Sequence, residues 1–492
     1  MVRKAKTKPK GETSHWFILV LVALAQFMVV LDVSIVNVAL PSIQKAFNMS
    51  QTDLQWIVTA YTLTFGGFLL LGGRAADFFG RRRVFLSGVA LFTLASLGCG
   101  LSQSGSMIII LRAIQGLAGA FMSPAALSIV LVTYREGHER NVALSVWGAV
   151  ASGGAAVGVL LGGILTQYAN WRWNFFVNVP VGIFVITAAL RVLPLHESEA
   201  KYTSLDLPGA VMITGGLMSL VYGLVKAPTY GWTDPLTLTF FALAAAGIIG
   251  FVVNESIVKH PLMPMHLFKI RNLVGADSLI LFMAAGMFSI FFFTTLYLQE
   301  ILGYTPIKTG VSFLLIPIVI AIVATNVPRL VQRFGFKPIL MIAPLIVSAG
   351  LYSLSHIPVD GTYWANVAPG LVLLGIGMGA TFVSVTIAAT SGVPHDEAGV
   401  ASGLLNTSQQ IGGAVGLAVL SGIAASATKD YLNNLHLTSQ PTQQQLASAT
   451  VHGFQEGYLI ASCFGVIASL IATFVLVNVK SNKELTPADM MG

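Results

Sequence analysis

Charge is what this sequence has least of. Lys, Arg, Asp and Glu together make up 10% of 492 residues, against about 25% in soluble globular domains, which excludes an ordinary water-soluble fold. Cysteine is nearly absent. Cys99 and Cys463 are the only two, each in an apolar run with no His or Cys at ligand spacing, so a disulfide framework and a thiolate metal site are both disfavoured and packing thiols remain. His15, His196, His260, His266 and His395 fall in tails or loops without helical metal spacing, and no metal is expected. Catalytic and nucleotide motifs are missing too. There is no Gly-x-Ser-x-Gly elbow, no His-Glu-x-x-His and no phosphate loop ending Gly-Lys-Ser or Gly-Lys-Thr. Gly375-Ile376-Gly377-Met378-Gly379 has the glycines of a nucleotide loop but lies inside a hydrophobic stretch with no strand before it, and reads as helix packing. An enzyme and an ATP-driven pump are therefore disfavoured. The formal net charge of +7 invites nucleic acid, but the basic residues are scattered through short segments rather than gathered on one face, so no nucleic-acid partner is expected.

What the chain has in excess is apolar surface, at 55% hydrophobic residues. Uncharged or nearly uncharged stretches run over Trp16–Leu40, Gln55–Gly72, Val84–Leu101, Met107–Val132, Ala143–Thr166, Phe175–Leu193, Leu207–Val225, Leu236–Val253, Leu273–Leu298, Val311–Val327, Ile339–Leu354, Trp364–Thr386, Val400–Ala424 and Gly457–Val479. Each is near the ~20 residues needed to cross a bilayer as a helix. The expectation is an all-α polytopic membrane protein with fourteen spans, the first retained rather than cleaved as a signal peptide. An even count puts both termini on one side. Twenty-one Lys and Arg fall on that side and five on the other, which predicts cytoplasmic termini.

An internal repeat orders these spans. Arg74, Phe79, Gly80 and Arg82 recur as Arg329, Phe334, Gly335 and Lys337, while Gly119-Ala120 and Gly154-Ala155 recur as Gly379-Ala380 and Gly413-Ala414. The predicted plan is a basic tail over 1–15, a six-helix bundle over 16–195, two inserted helices over 205–254, a second six-helix bundle over 272–479 and a tail over 480–492. Duplicated bundles framing a mid-membrane site are the plan of secondary transporters. Gln332 stands where the repeat would put Asp77, and Val372 where it would put Arg112, so chemistry is expected in the first half.

Two charges lie inside predicted spans. Asp32 sits eight residues before Leu40, roughly 12 Å from the outer end of its helix, and Arg112 about 8 Å into the fourth. A carboxylate there needs a partner or a proton. The pair is either a structural ion pair or a proton site whose affinity changes as Arg112 moves and water enters. Asp277 and Glu300 fall near opposite ends of the ninth span and are read as reaching interfacial water; Glu255 and Glu456 flank spans, and Asp206 before Pro208 is read as a helix N-cap. Gln26, Asn37, Tyr61, Gln115, Trp147, Phe292, Asn406, Gln409 and Gln410, with Phe288 and Tyr297, offer amides and rings for a cavity taking a lipophilic ligand, or ordinary interhelical bonds. Gly154, Gly158 and Gly162, with Gly163, repeat small residues at four-residue spacing, which favours close packing. Between the second and third spans Gly73-Arg74-Ala75-Ala76-Asp77-Phe78-Phe79-Gly80-Arg81-Arg82-Arg83 reads as a hinge loop, with Gly72, Gly73 and Gly80 permitting a tight reversal and Asp77 in reach of the arginines.

The Gly-x-x-x-Asp-x-x-Gly-Arg-Arg-Arg spacing of that stretch resembles the loop between spans two and three of the major facilitator superfamily. Gly153 to Gly163 resembles the superfamily's antiporter signature, which has proline where this chain has Val159. Trp171-Arg172-Trp173-Asn174-Phe175, Asn178-Val179-Pro180, Asp206-Leu207-Pro208-Gly209-Ala210, Tyr297-Leu298-Gln299 and Ala401-Ser402-Gly403-Leu404-Leu405-Asn406 extend the likeness over nearly the whole chain, to the fourteen-span drug:proton antiporter branch. The resemblance implies a monomer in a bacterial-type inner or plasma membrane, exporting a lipophilic small molecule against inward proton flow by alternating access. Its partners would be that substrate, protons and membrane lipids, with no cofactor. A lipid or endogenous-metabolite exporter of the same fold is the alternative, and a transporter-like receptor is a further one.

Overall fold

A computed structural model describes residues 12–134, 137–193, 205–394, 397–436 and 440–477. Most of both tails, Arg135, Lys201, His196 and His395 lie outside the described residues. The rest is helical, and fourteen helices are long and apolar enough to cross a membrane. In chain order they are His15–Phe47, Gln51–Phe79, Arg81–Leu101, Gly105–Thr133, Val142–Tyr168, Trp173–Val192, Leu207–Ala227, Pro235–Ile257, Arg271–Ile301, Pro306–Ala324, Phe336–Leu354, Tyr363–Thr390, Ala398–Asn434 and Gln443–Phe474. The helices run past several limits expected from hydropathy, because helical backbone satisfies its own polar groups and continues into the polar flanks. The first carries Pro41 inside it and continues to Phe47.

The repeat reappears as packing. In the first half the first span packs on the fourth, fifth and sixth, the second on the fourth, and the third on the fourth and sixth. The second half copies each pair: the ninth on the twelfth, thirteenth and fourteenth, the tenth on the twelfth, and the eleventh on the twelfth and fourteenth. Small residues let these backbones approach, which is how helices associate where lipid removes the hydrophobic drive. Gly158 and Gly162 press on the first span at Ser34 and Ile35, and Gly412 and Gly416 press on the ninth at Leu281 and Ala285.

The halves meet along two seams, the fifth span against the tenth and the second against the thirteenth. The two inserted spans pair with each other, and the seventh lies on both the second and the thirteenth, where Leu63, Leu217, Val221, Ala414 and Ala418 form one apolar cluster. The connection after the eighth span closes the same seam at the Gly80 end: Arg74 donates to the carbonyls of His260 (2.6 Å) and Pro261, and His266 Nε2 lies 2.9 Å from Glu397. No inserted helix packs on the other seam among the described residues. That seam is tight at the opposite end, with Gly163 facing the Pro306 carbonyl and Ile307 Nα–H donating to Gln167 (3.3 Å), but a side chain at Gly153 would meet nothing within 4 Å.

The expected hinge loop is mostly helix. The second span continues through Gly73, Arg74 and Asp77 to Phe79, and the third begins at Arg81. Gly80 alone turns the chain, at φ 93°, a backbone region that side chains with a Cβ avoid. Gly72 and Gly73 do not make the reversal: both are helical, and Gly72 instead touches the backbone of the fourth span at Ala120. Gly335, at φ 82°, makes the equivalent one-residue turn between Phe334 and the helix that starts at Phe336.

Candidate functional site

Asp32 and Arg112 meet. The first and fourth spans pack together, and the two side chains form an ion pair that is fully buried. Arg112 is fixed from several sides: Nε donates to the Ile57 carbonyl (3.0 Å), Nη1 to Asp32 Oδ2 and to Gln115 Oε1 (2.9 Å), and the guanidinium lies 4.2 Å from the centre of the Tyr61 ring. The other Asp32 oxygen, Oδ1, accepts from Gln115 Nε2 (2.8 Å) and Asn178 Nδ2 (3.1 Å). Asn178 is tied in turn to Ser96, which donates to the Phe175 carbonyl. Burying two charges is costly unless their hydrogen bonds are nearly all made, and here both carboxylate oxygens are partnered. The arrangement is asymmetric. Each keeps neutral partners of its own, Arg112 the Ile57 carbonyl, Gln115 and the Tyr61 ring and Asp32 the amides of Gln115 and Asn178, but only the carboxylate can change charge, because a guanidinium does not deprotonate in proteins.

The small residues of the fifth span stand behind this pair. A side chain at Gly154 would meet Val30 (3.3 Å), one at Gly158 would meet Ser34 (2.6 Å) and the Leu31 carbonyl, and one at Gly162 the Ile35 carbonyl (2.8 Å), so the stripe grips the first span on either side of Asp32. Gly163 faces the tenth span instead, against the Pro306 carbonyl (2.6 Å). With Val159 in place of proline the helix runs unbroken from Val142 to Tyr168. At the Gly80 turn, Asp77 Oδ1 lies 3.7 Å from Arg81 across the junction of the second and third spans, and Arg82 donates to the Leu190 carbonyl (2.7 Å).

The expected cavity residues are not brought together as a set. Gln115 and Tyr61 belong to the Asp32 network and are shut in, and Phe292 is buried in the ninth span's aromatic packing. Asn37 donates to the Val33 carbonyl of its own helix, Gln26 accepts from Ser123, and Gln410 packs on Gly66 at the second seam. Trp147 and Gln409 are half-buried, and Asn406 is exposed. Amides in a span satisfy whatever backbone or hydroxyl is nearest, which composition alone does not distinguish from facing a ligand. Asn178 was missed as a member of the network; its signal was an amide in the first turn of a span, two residues before Pro180.

Three acids depart from expectation, and one of them, Glu456, read as flanking the fourteenth span, lies inside its helix Gln443–Phe474. Asp277 does not reach interfacial water: it is 8% exposed, and its Oδ1 is buried without a hydrogen-bond partner. Glu255 lies within the eighth span rather than flanking it, buried, accepting from the Met263 N–H (2.7 Å). Asp206 does cap the seventh span, accepting from Gly209 N–H (2.9 Å). Cys99 and Cys463 are both free thiols. Among the described residues no three His, Cys, Asp or Glu side chains are grouped to hold a metal ion.

Comparison with known proteins agrees with this plan. A puromycin resistance protein of Streptomyces alboniger is 39% identical over 481 residues, covering 97% of this chain and 93% of its own length. A tetracenomycin C resistance and export protein of Streptomyces glaucescens is 37% identical, covering 84% and 77%. Among solved structures, a bacterial homologue of the human lysosomal transporter Spinster, inward-facing and unoccupied, superposes with a TM-score of 0.66 at 16% identity over 94% of this chain and 97% of that one. The sequence pattern of the major facilitator superfamily matches residues 22–417, and with the duplicated bundles in place the chain belongs to that superfamily of transporters.

Proposed function

We propose that the protein exports lipophilic small molecules in exchange for protons, alternating between states open at either end. The observation that carries this reading is the Asp32–Arg112 pair, a buried carboxylate whose partner is held independently of it. The relatives' names, puromycin resistance and tetracenomycin C resistance and export, support a toxic organic compound as cargo. In this reading Asp32 takes and releases the proton, Arg112 sets how readily it does so, and the Asp77–Arg81 contact across the Gly80 turn is a latch made in one state. The proton is the coupling ion, no cofactor takes part, and the protein works as a monomer among membrane lipids. The basic Arg74–Arg83 stretch supports a cytoplasmic Gly80 end, and with it cytoplasmic termini. In this reading the fifth–tenth seam is the one closed on the outer side.

The test is purified protein in sealed vesicles with an imposed pH step and no nucleotide, assayed with puromycin or an intercalating dye. Accumulation should follow the pH step and collapse with a protonophore. Uptake that ignores the pH step and requires ATP defeats the reading. Accumulation of a membrane lipid in place of every drug tried would shift it to the lipid-exporting alternative.

A further inference from the structure

The acid that the Asp32 network does not use is Asp277, and it faces a cavity of its own. The cavity, about 250 Å³, lies where the second, seventh, eighth, ninth and thirteenth spans converge, away from the first, fourth and sixth that hold Asp32. Its wall is mostly apolar, with Leu70, Ile213, Phe251, Phe268 and Leu404 around the one carboxylate and hydroxyls only from Ser278, Thr407 and Ser408. Asp277 has no ion pair among the described residues, and its Oδ1 is shut off from solvent with no donor in reach. Two basic groups on flanking segments are engaged elsewhere: Arg271 donates to the Phe474 carbonyl (3.0 Å) and Arg74 to those of His260 and Pro261. The same corner holds a second buried acid, since Met263 in the wall donates its N–H to Glu255.

A carboxylate in apolar surroundings with no donor is costly to keep charged. A ligand that supplies a positive charge on an apolar body removes that cost and fills the space at once. We infer that this cavity is a second ligand site, distinct from the Asp32 network, which takes a lipophilic organic cation with its charge against Asp277 and its apolar part between Phe251 and Phe268. The occupant touches the second span, an inserted span, the ninth and the thirteenth together, so it bridges both halves at the covered seam. The inference stands on this cavity and not on the direction or energy source of transport.

The test uses the full chain in detergent, with Asp32→Asn as background so that the other buried carboxylate cannot hold the probe. The probes are benzyltrimethylammonium and its uncharged isostere neopentylbenzene, read by equilibrium binding. One equivalent of the cation should bind to the Asp32→Asn protein. Adding Asp277→Asn should weaken the cation at least tenfold and leave neopentylbenzene unchanged, because only the charge has gone. Ile213→Trp fills the cavity from the inserted span and should remove both probes, with the unfolding midpoint checking that each variant is intact. The inference is overturned if the cation does not bind in the Asp32→Asn background, if its affinity survives Asp277→Asn, or if both probes fall equally in that variant.

Discussion

The two halves share a fold and differ in what fills the same junctions. Where the first and sixth spans meet in the first half, the contact is polar: Asp32 accepts from Asn178, and Arg112 closes the network from the fourth. Where the ninth and fourteenth meet in the second, the contact is aromatic: Phe293 packs on Phe454 at 5.3 Å and edge-on to Tyr458 at 5.6 Å, and Tyr458 shares one hydrogen bond with Thr294 (2.7 Å). One arrangement holds charge out of water among amide and hydroxyl partners. The other has nothing to titrate near neutral pH and serves as a fixed wall. The packing occurs twice, and among the described residues only the first copy carries an ion pair at this junction.

The comparison breaks most sharply at Asp32. Asp32→Asn should reduce pH-driven accumulation in vesicles to background while substrate still equilibrates down its own gradient; wild-type accumulation in that variant would refute the assignment. Arg112→Ala comes next, because it leaves Asp32 buried and uncompensated. A loss of about 3–5 kcal/mol is expected for stranding one member of a buried pair, seen as a lowered unfolding midpoint in detergent, with part of the loss recovered in the Asp32→Asn, Arg112→Ala double variant. Gly80→Ala and Gly335→Ala sharpen the comparison from the other direction, since here the halves are alike. Each should cost about 1–3 kcal/mol for a side chain held at positive φ, and unequal costs in chemical denaturation would show that the two turns are not equivalent. The smallest effect belongs to Tyr458→Phe. Removing one hydrogen bond should cost about 1 kcal/mol and leave the pH dependence of transport where it was; a shifted pH profile would mean that the aromatic junction takes part in coupling.

Much of this was readable in the sequence. Fourteen spans, the six-span repeat and the Asp32–Arg112 pair follow from hydropathy and from the rarity of charge, because a bilayer punishes both short helices and lone charges. The ends of helices were less readable: Arg74 and Asp77 looked like loop residues, yet long side chains reach the interface from within a helix. Destinations of amides were unreadable for a different reason. Gln115 was assigned to a cavity and Asn178 to no role, and both proved to be donors to Asp32, a pairing across spans far apart in the chain. Asp277 was misplaced because its burial comes from the inserted spans and the connection after them, so depth along its own helix was the wrong measure.

The one-residue turns at Gly80 and Gly335 also set the mechanics of the molecule. A long connection lets neighbouring helices slide or tilt past each other; a joint with a single non-helical residue takes up almost no slack. The second and third spans are therefore one lever, whereas Gly335 joins the eleventh span only to the short helix Val327–Phe334, which Thr325 and Asn326 set off from the tenth. That lever has one arm in the seam with the thirteenth span and the other against the fourth and sixth spans of its own bundle. Movement at a seam is handed to the back of the bundle at full amplitude, and the number of independent motions open to the twelve repeated helices is smaller than their number suggests.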